Sequence, residues 1–360
     1  MILEQLTVGG WRNLEAVSLE PAAGLTVISG ANAQGKTNVL EAMAAVITGT
    51  SHRALRDDEL ITAGEIKARL SAKFRRPSGS FEQTLELERA GRKSRRREGK
   101  RVVPGADPLG DPMVVLFCPE DLVLVQSGPA GRRRFLDREV AQATVGYSAA
   151  QRSYQRIWTQ RNTALKRGEG HVVDALDLLW AQAATRLTRL RRQLVEALAP
   201  LAQKAYAAMA PFDPALTVRL AAGTPAEDPQ VALAALRQRR AEEEARRISV
   251  LGPHRDDIQL TIGDNELRAF GSQGQQRTAA VALKLATVQL LQEAAGVRPL
   301  LLLDDVLSEL DGRRRELLAQ QVREGQTVLT TTDAEFLPER MRADSWWEIQ
   351  SGKVAVHGTA

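Results

Sequence analysis

The residues with the clearest chemical potential lie at positions 30–37, Gly-Ala-Asn-Ala-Gln-Gly-Lys-Thr, which fit the phosphate-binding pattern G-x-x-x-x-G-K-[ST]. A short apolar run at residues 24–29 precedes them, and residues 39–47 follow with apolar side chains at helical spacing. This pattern predicts a strand, a loop whose backbone N–H groups face a phosphate, and a helix. We expect Lys36 to reach the β- and γ-phosphates and the Thr37 hydroxyl to hold Mg²⁺.

Two further stretches carry chemistry. Residues 299–303, Pro-Leu-Leu-Leu-Leu, are typical of a buried parallel strand, and they end in Asp304 and Asp305. Asp304 is placed to organise Mg²⁺, and Asp305 is placed to orient or deprotonate an attacking water. Residues 270–277, Phe-Gly-Ser-Gln-Gly-Gln-Gln-Arg, precede a long helical pattern. A serine and a glycine-bearing turn at a helix N-terminus form an anion site by the same physics as the phosphate loop.

A dense run of cations occupies residues 89–101, between strand-like segments, with Gly91 and Gly99 as turn residues. Charges packed this closely repel one another unless a polyanion neutralises them, so we predict a hairpin that contacts DNA phosphates. A solvated loop tip is the alternative. The predicted DNA contacts are Arg92, Lys93, Arg95, Arg96, Arg97, Lys100 and Arg101.

The composition narrows the protein class. The 360 residues are 43% hydrophobic and 26% charged, and 49 Lys and Arg against 44 Asp and Glu, with a pI near 9.5, favour a polyanionic partner. Aromatic residues at 4% argue against base stacking as the binding mode. A single cysteine, Cys118, excludes an internal disulfide and a cysteine-based metal cluster. Residues 1–8 lack the apolar core of a signal peptide, and no run of about eighteen apolar residues occurs. We therefore expect a cytoplasmic protein with no membrane partner.

The hydrophobic period separates the regions that position these residues. Residues 1 to about 125 are typical of strands and loops, and the period then changes from two to seven between residues 140 and 201, with a turn at residues 168–170. This predicts two antiparallel helices, each about 45 Å long. Their Arg186, Arg189, Arg191 and Arg192 are interpreted as a solvated face in preference to a DNA track. The predicted domains are residues 1–127 (N-terminal part of the head), 128–248 (helical arm) and 249–360 (C-terminal part of the head).

The order of these motifs resembles that of ABC-type ATPase heads of the SMC kind and, more narrowly, of the RecF family of bacterial recombination mediators. The resemblance runs nearly from end to end, and its matching stretches are GKTNVLE at residues 35–41, SHR at 51–53, PEDL at 119–122, RRFLD at 133–137, GPHRDD at 252–257, QGQQR at 273–277 and LDDV at 303–306. The implied fold is α/β: an ABC/SMC-type P-loop ATPase head with an inserted α-helical, short antiparallel coiled-coil arm.

The resemblance also implies a function. Heads of this kind form an ATP-dependent homodimer that sandwiches two ATP molecules, with Mg²⁺, and that binds duplex DNA and single-strand/double-strand junctions. RecR and RecO are the implied protein partners, RecA loading at gaps is the implied outcome, and the implied activity is a weak DNA-dependent ATPase. A transporter-type ATPase subunit and an SMC-like structural DNA clamp are the alternatives. The implied contacts to ATP are Gly30, Ala31, Asn32, Ala33, Gln34, Gly35, Lys36, Thr37 and Asn38 in one subunit, and the signature residues Ser272, Gly274 and Gln275 in the other.

The chain departs from the family pattern at a few positions. Ala33 stands where such loops often have glycine, and Trp11 stands where we expect phenylalanine. The second acid after the apolar strand is Asp305 and not glutamate, which predicts a shorter reach to water and slow hydrolysis. Thr332 is nearest to the position of the transporter histidine, and Glu120 is the nearest candidate for the missing Q-loop glutamine.

Overall fold

A computed structural model describes residues 1–76, 78–102, 111–332, 337 and 341–357. The strands are β1 (Ile2–Gly9), β2 (Val17–Leu19), β3 (Leu25–Ser29), β4 (Lys67–Arg76), β5 (Gly79–Glu88), β6 (Lys93–Arg97), β7 (Lys100–Arg101), β8 (Val114–Phe117), β9 (Leu216–Ala221), β10 (Asp257–Ile262), β11 (Asn265–Glu266), β12 (Leu300–Asp304), β13 (Thr327–Thr331), β14 (Ser345–Gln350) and β15 (Lys353–His357). The helices are α1 (Lys36–Thr48), α2 (Pro129–Arg138), α3 (Tyr147–Arg167), α4 (Gly170–Met209), α5 (Pro229–Gln238), α6 (Arg240–Arg246), α7 (Leu267–Phe270), α8 (Gln273–Ala295) and α9 (Gly312–Val322).

The chain divides into two compact units. Unit 1 comprises Met1–Leu122 and Thr287–Ala360, and unit 2 comprises Val123–Ala286. The sequence placed a boundary between residues 248 and 249, whereas residues 249–286 lie in unit 2. The reason is a sheet, since β10 pairs with β9 in antiparallel register, from Asp257 opposite Ala221 to Ile262 opposite Leu216.

Unit 1 contains two six-stranded sheets with α1 between them. One sheet has the order β2-β1-β4-β5-β6-β7 and the other β15-β14-β3-β13-β12-β8. Helix α1 is apolar on most faces because it packs on β4 and β5 of the first sheet and on β8, β12 and β13 of the second. Strands β4 and β5 alternate largely between buried and more exposed side chains, as expected for strands with one face on the core.

The second sheet of unit 1 positions the chemistry. Strands β3, β13, β12 and β8 are parallel neighbours, and these four short strands are almost wholly buried, as expected for a parallel sheet covered on both faces. Their carboxyl ends therefore meet at one edge, where ligands bind in α/β sheets. The phosphate loop follows β3, Asp304 ends β12, and Glu120 follows β8.

Unit 2 is built on the helix pair α3 and α4, which a two-residue turn connects. Arg161 Nε donates to Asp177 Oδ1 at 2.9 Å, and Arg191 Nε donates to the Tyr147 hydroxyl at 3.0 Å. Residue 147, near the start of α3, thus contacts residue 191 of α4, and residue 161, farther along α3, contacts residue 177, which lies earlier in α4. The two helices are therefore antiparallel. The predicted equal lengths were wrong: 21 and 40 residues give about 30 Å and 60 Å.

Helix α3 also begins later than the heptad pattern predicted. The pattern starts at residue 140, but residues 140–143 form a separate turn of 3-10 helix and α3 starts at Tyr147. Within the described part of the chain, no helix is both long enough and apolar enough to cross a membrane.

Candidate active site

The phosphate loop adopts the strand–loop–helix geometry that its sequence predicts. Its backbone takes positive φ at Gly30 (151°), Ala33 (65°) and Gly35 (118°), and α1 begins at Lys36. A Cβ at residue 30 would lie 2.5 Å from the Ile349 carbonyl oxygen, so only glycine fits there. Ala33 carries its Cβ into the left-handed region, which is a strained conformation for a non-glycine residue.

Lys36 is folded back onto the loop. Its side chain is buried, and Nζ donates to the carbonyl oxygens of Gly30 and Ala31 at 2.5 and 3.0 Å. Burial lowers the Lys36 pKa, while the charges of Asp305 and Asp304 raise it. A cation held this way keeps its position before a ligand arrives, and phosphate oxygens can replace the two carbonyls as its partners.

Thr37 and Asp304 meet in a hydrogen-bonded cluster with a third residue, Thr330. The Thr37 hydroxyl donates to Asp304 Oδ1 at 2.9 Å, and the Thr330 hydroxyl donates to the same oxygen at 2.8 Å. Burial raises the Asp304 pKa, and the two hydroxyl hydrogen bonds lower it. The charge of Arg53 also lowers this pKa and that of Glu120 raises it, so both side chains lie in electrostatic reach of Asp304.

This oxygen set fits Mg²⁺. Mg²⁺ is usually bound by one or two carboxylates, waters and substrate phosphates, not by a protein-only cage. Thr37 offers a hydroxyl oxygen and Asp304 a second carboxylate oxygen, both next to the phosphate loop. Among the described residues, no group of three or more His, Cys, Asp or Glu could hold a metal ion by itself.

Asp305 is held in a special backbone conformation. Its φ is 51°, and its N–H donates to the Thr330 hydroxyl at 3.0 Å. Burial raises the Asp305 pKa, whereas the Lys36 charge and a hydrogen bond from the Thr332 N–H lower it, and the Glu309 charge raises it. The Asp305 carboxylate therefore lies within electrostatic reach of the Lys36 ammonium group of the phosphate loop.

Several residues around the loop had no assigned role in the sequence. Glu41 of α1 is fully buried and accepts two hydrogen bonds from Arg12, at 2.8 and 2.9 Å, and one from Ser51. Arg53 donates to Asn38 at 3.3 Å. The Glu41 carboxylate thus ties the segment after β1 and the SHR segment to the helix that carries Thr37. The sequence signal that could have predicted this role is the carboxylate of Glu41 among the apolar residues of α1, since a buried carboxylate needs hydrogen-bond partners.

The signature turn lies in unit 2 and forms a reciprocal helix cap. The Ser272 hydroxyl accepts from the Gln275 N–H at 3.2 Å, and Gln275 Oε1 accepts from the Ser272 N–H at 3.0 Å. Ser272 and Gly274 are exposed. Gln276 is buried and donates to the carbonyls of Leu267 and Gly271, both at 3.1 Å, which fixes the turn before α8.

Comparison with known proteins gives a consistent result. A family model described as an AAA domain matches residues 5–188. The DNA replication and repair protein RecF of Symbiobacterium thermophilum is 38% identical over 352 residues, which cover 94% of each chain. RecF of Myxococcus xanthus is 37% identical over 377 residues, covering 100% of this chain and 98% of the relative. The chain belongs to the RecF family.

Solved structures agree with this membership. A structure of the recombination mediator protein RecF with ATP, in the RecFOR pathway, is 26% identical and has a TM-score of 0.90, covering 99% of this chain and 97% of the other. An Smc head bound to the C-terminal winged-helix domain of ScpA matches at 18% identity with a TM-score of 0.55, which shows the fold alone. The predicted α/β P-loop ATPase head of the SMC kind is confirmed.

The basic hairpin of this RecF-family chain is less uniform than its sequence suggests. Arg95 is buried, donates to the Ile47 carbonyl and has its pKa lowered to about 10 by burial. Arg97 pairs with Asp111, and Lys93 Nζ lies 3.0 Å from Asp57. Alternation along β6 therefore places these three cations on one face of the strand, where Arg95 is buried, Arg97 is partly buried and Lys93 is exposed but paired. Arg95 was wrongly predicted as a DNA contact, because its guanidinium is part of the core.

The remaining hairpin cations are exposed: Arg92, Arg96, Lys100 and Arg101. Arg96 lies directly opposite Arg101 in the β6–β7 pair, and Arg97 lies opposite Lys100. Like charges directly opposite each other destabilise a strand pair, so this arrangement is unfavourable unless an anion lies between or above them.

The arm arginines also differ from one another. Arg191 was predicted on a solvated face, but it is buried and donates to Asp137, Asp256 and the Pro253 carbonyl. Its partners identify the role of the GPHRDD segment, which docks on α2 and α4: Arg132 of α2 donates to both Asp257 oxygens at 2.7 Å. A buried charge needs such partners, so this segment holds unit 2 together.

Proposed function

We propose that this chain is an ATP-dependent DNA-binding switch of recombinational repair. The hydrogen-bonded cluster of Thr37, Asp304 and Thr330 next to the buried Lys36 is the observation that carries the proposal. Residues 30–38 hold the phosphates of ATP, while Thr37 and Asp304 hold Mg²⁺, which neutralises charge on the β- and γ-phosphates when bound. The RecF structure solved with ATP supports this assignment.

Hydrolysis serves as a timer in this proposal. Asp305 orients or deprotonates the attacking water, and Asp304 would help to hold Mg²⁺ beside the phosphates. An aspartate reaches less far than a glutamate, so turnover is slow. The weak ATPase is stimulated by DNA, and hydrolysis releases the bound DNA.

ATP closes a homodimer with two composite sites. The phosphate loop of one subunit holds ATP, and Ser272, Gly274 and Gln275 of the other contact its γ-phosphate. The reciprocal cap supports this role, because it preforms an exposed turn at the N-terminus of α8, where the helix dipole attracts anions. Twofold symmetry supplies each loop with the signature of its partner.

The test compares two replacements at Ser272 that both keep the helix cap. Ser272→Thr retains a hydroxyl and should dimerise with ATP like the wild type. Ser272→Asp caps a helix equally well but puts a carboxylate against the phosphate, so monomers should bind ATP and fail to dimerise. Light scattering after size exclusion, with and without ATP and Mg²⁺, measures both. ATP-driven dimers of Ser272→Asp at wild-type levels would contradict the composite site.

The closed dimer binds duplex DNA and single-strand/double-strand junctions through the exposed hairpin cations. Replacing Arg96 and Arg101 by Gln should lower the slope of log affinity against log salt by about 1.8, from about 0.9 per phosphate contact. Arg69→Gln is the matched control, since Arg69 lies in the same sheet but pairs with Glu86 at 3.5 Å. The measurement is the affinity for duplex DNA, in the presence of ATP, at several salt concentrations. An unchanged slope in the double variant would show that these hairpin cations do not contact DNA.

Partners and context follow from the family. The relatives are DNA replication and repair proteins, and solved relatives belong to the RecFOR pathway. We therefore infer that RecR and RecO act with this chain, that RecA loading at gaps is the outcome, and that the protein works in the cytoplasm on DNA.

A further inference from the structure

Gln34, in the middle of the phosphate loop, joins three segments of unit 1. Its side-chain Oε1 accepts a hydrogen bond from the Ser351 N–H at 2.6 Å. Its main-chain oxygen accepts from the Gly352 N–H at 3.0 Å and from Asn13 Nδ2 at 3.4 Å. Both oxygens of this residue are therefore held by groups outside the loop.

The turn that contacts Gln34 is itself built for close approach. Ser351 and Gly352 connect β14 to β15 with φ values of 50° and 80°, so both central residues of this hairpin turn have positive φ. A Cβ on residue 352 would lie 2.1 Å from the Asn13 carbonyl oxygen, which only glycine avoids. The hairpin also contacts the start of the loop, since Trp346 Nε1 donates to the Ser29 hydroxyl at 2.9 Å.

The loop needs such support next to Gln34. Ala33 precedes it with φ of 65°, in a region that L-residues adopt at a cost. A strained backbone conformation persists only where the surroundings fix it. Gln34 is the next residue along the chain, and its hydrogen bonds to the hairpin fix the loop on the C-terminal side of Ala33.

We propose that Gln34 is a positioning residue for nucleotide binding, and that the Ser351–Gly352 turn is its partner. The Gln34 side chain acts through the backbone: it holds the strained loop in the one conformation whose N–H groups face the phosphates. The free protein then loses little conformational entropy when a phosphate binds, which strengthens the affinity. This inference rests on the proposed binding of ATP.

The test uses Gln34→Met, which keeps the length of the side chain and removes the acceptor. The net value of one hydrogen bond predicts that ATP and ADP, each with Mg²⁺, bind about three- to tenfold more weakly. Gln326→Met is the matched control. Its buried side chain bonds to Leu3 and Ala22 at the amino end of β13, at the opposite edge of the sheet, so it should lower the melting temperature and leave nucleotide affinity unchanged.

Two readouts separate positioning from general damage. Ala33→Gly in the Gln34→Met background should recover part of the lost affinity, because glycine takes positive φ without strain. ATP should also slow hydrogen exchange of the Ser351 amide in the wild type and not in Gln34→Met.

The outcomes distinguish the two proposals. Calorimetry that finds no nucleotide binding by the wild type refutes the proposed function and this inference with it. If the wild type binds nucleotide, two results refute the inference alone. One is a nucleotide affinity of Gln34→Met equal to that of the wild type, and the other is a loss of affinity in Gln326→Met as large as that in Gln34→Met.

Discussion

Replacement of Asp305 by asparagine tests the chemistry of the site most directly. Asparagine keeps the size of the side chain and, like aspartate, tolerates the φ of 51° found here. The N–H of residue 305 would keep its hydrogen bond to the Thr330 hydroxyl. The fold and the nucleotide contacts are therefore expected to persist, and the one property removed is the basic oxygen beside Lys36.

The magnitude follows from the role of that oxygen. Loss of a positioned general base lowers turnover by about 10²- to 10⁴-fold, which corresponds to about 3–5 kcal/mol of barrier. Phosphate release in a single turnover with excess enzyme measures the chemical step, and light scattering of the same sample should show ATP-bound dimers that accumulate. Melting temperature within about 2 °C of the wild type would exclude unfolding as the cause.

Glu309→Gln is the matched control, because Glu309 is an exposed acid in the following turn whose charge raises the Asp305 pKa. Its replacement should keep turnover and move the acidic limb of the pH–rate profile to lower pH. In the wild type, burial raises the Asp305 pKa, so the rate should begin to fall at a higher pH than for an ordinary aspartate. Normal turnover in Asp305→Asn would refute the assignment, and Glu120 or Asp311, the acid directly before α9, would be tested next.

Two predictions concern unit 2. His254 lies between the Tyr154 hydroxyl and the Ser249 carbonyl, and burial lowers its pKa from 6.5 to about 4. The unfolded chain therefore takes up a proton at a higher pH than the folded chain, so about 3 kcal/mol of stability is fully present above pH 6.5 and is lost as the pH falls toward 4. Denaturant melts across this pH range should show that loss in the wild type and not in His254→Phe. Arg161 is fully buried against Asp177 and Glu243, so Arg161→Met should cost about 3–5 kcal/mol by leaving two carboxylates without their cation, and a near-neutral result in the same melts would contradict this.

Much of unit 1 could be predicted because its signals are local. The phosphate loop, the strand before it and helix α1 are set by neighbours in the sequence, and so are the apolar strand β12 and the acids that end it. Thr330 could not be predicted. It lies on β13, and its contact with Asp304 depends on β13 running parallel to β12 with Thr330 opposite Asp304. Strand order and register are long-range properties that one strand's composition does not encode.

The boundaries of the arm show the same limit. A heptad pattern predicted the helix pair, yet α3 begins later and α4 continues farther than expected. The pattern shows which side chains are buried, but the ends of the helices also depend on the segments that pack against them. Residues 249–286 were predicted to belong to the C-terminal part of the head, since a strand-like pattern resumes there. Pairing of β10 with β9 places them in unit 2, and that pairing joins segments about forty residues apart.

The arginines show why charge counts alone misplace function. Arg95, Arg96 and Arg101 stand in one basic run, but strand alternation buries the first and leaves the other two exposed. Arg191 lies beside Arg192 in α4, but only Arg191 is turned toward Asp137 and Asp256. The desolvation cost of a buried guanidinium requires carboxylate or carbonyl partners, and these come from distant segments. Among the residues that the structure describes, the side chains of Arg96 and Arg101 have no carboxylate or carbonyl partner, so the structure, not the count, identifies them as the residues to test first.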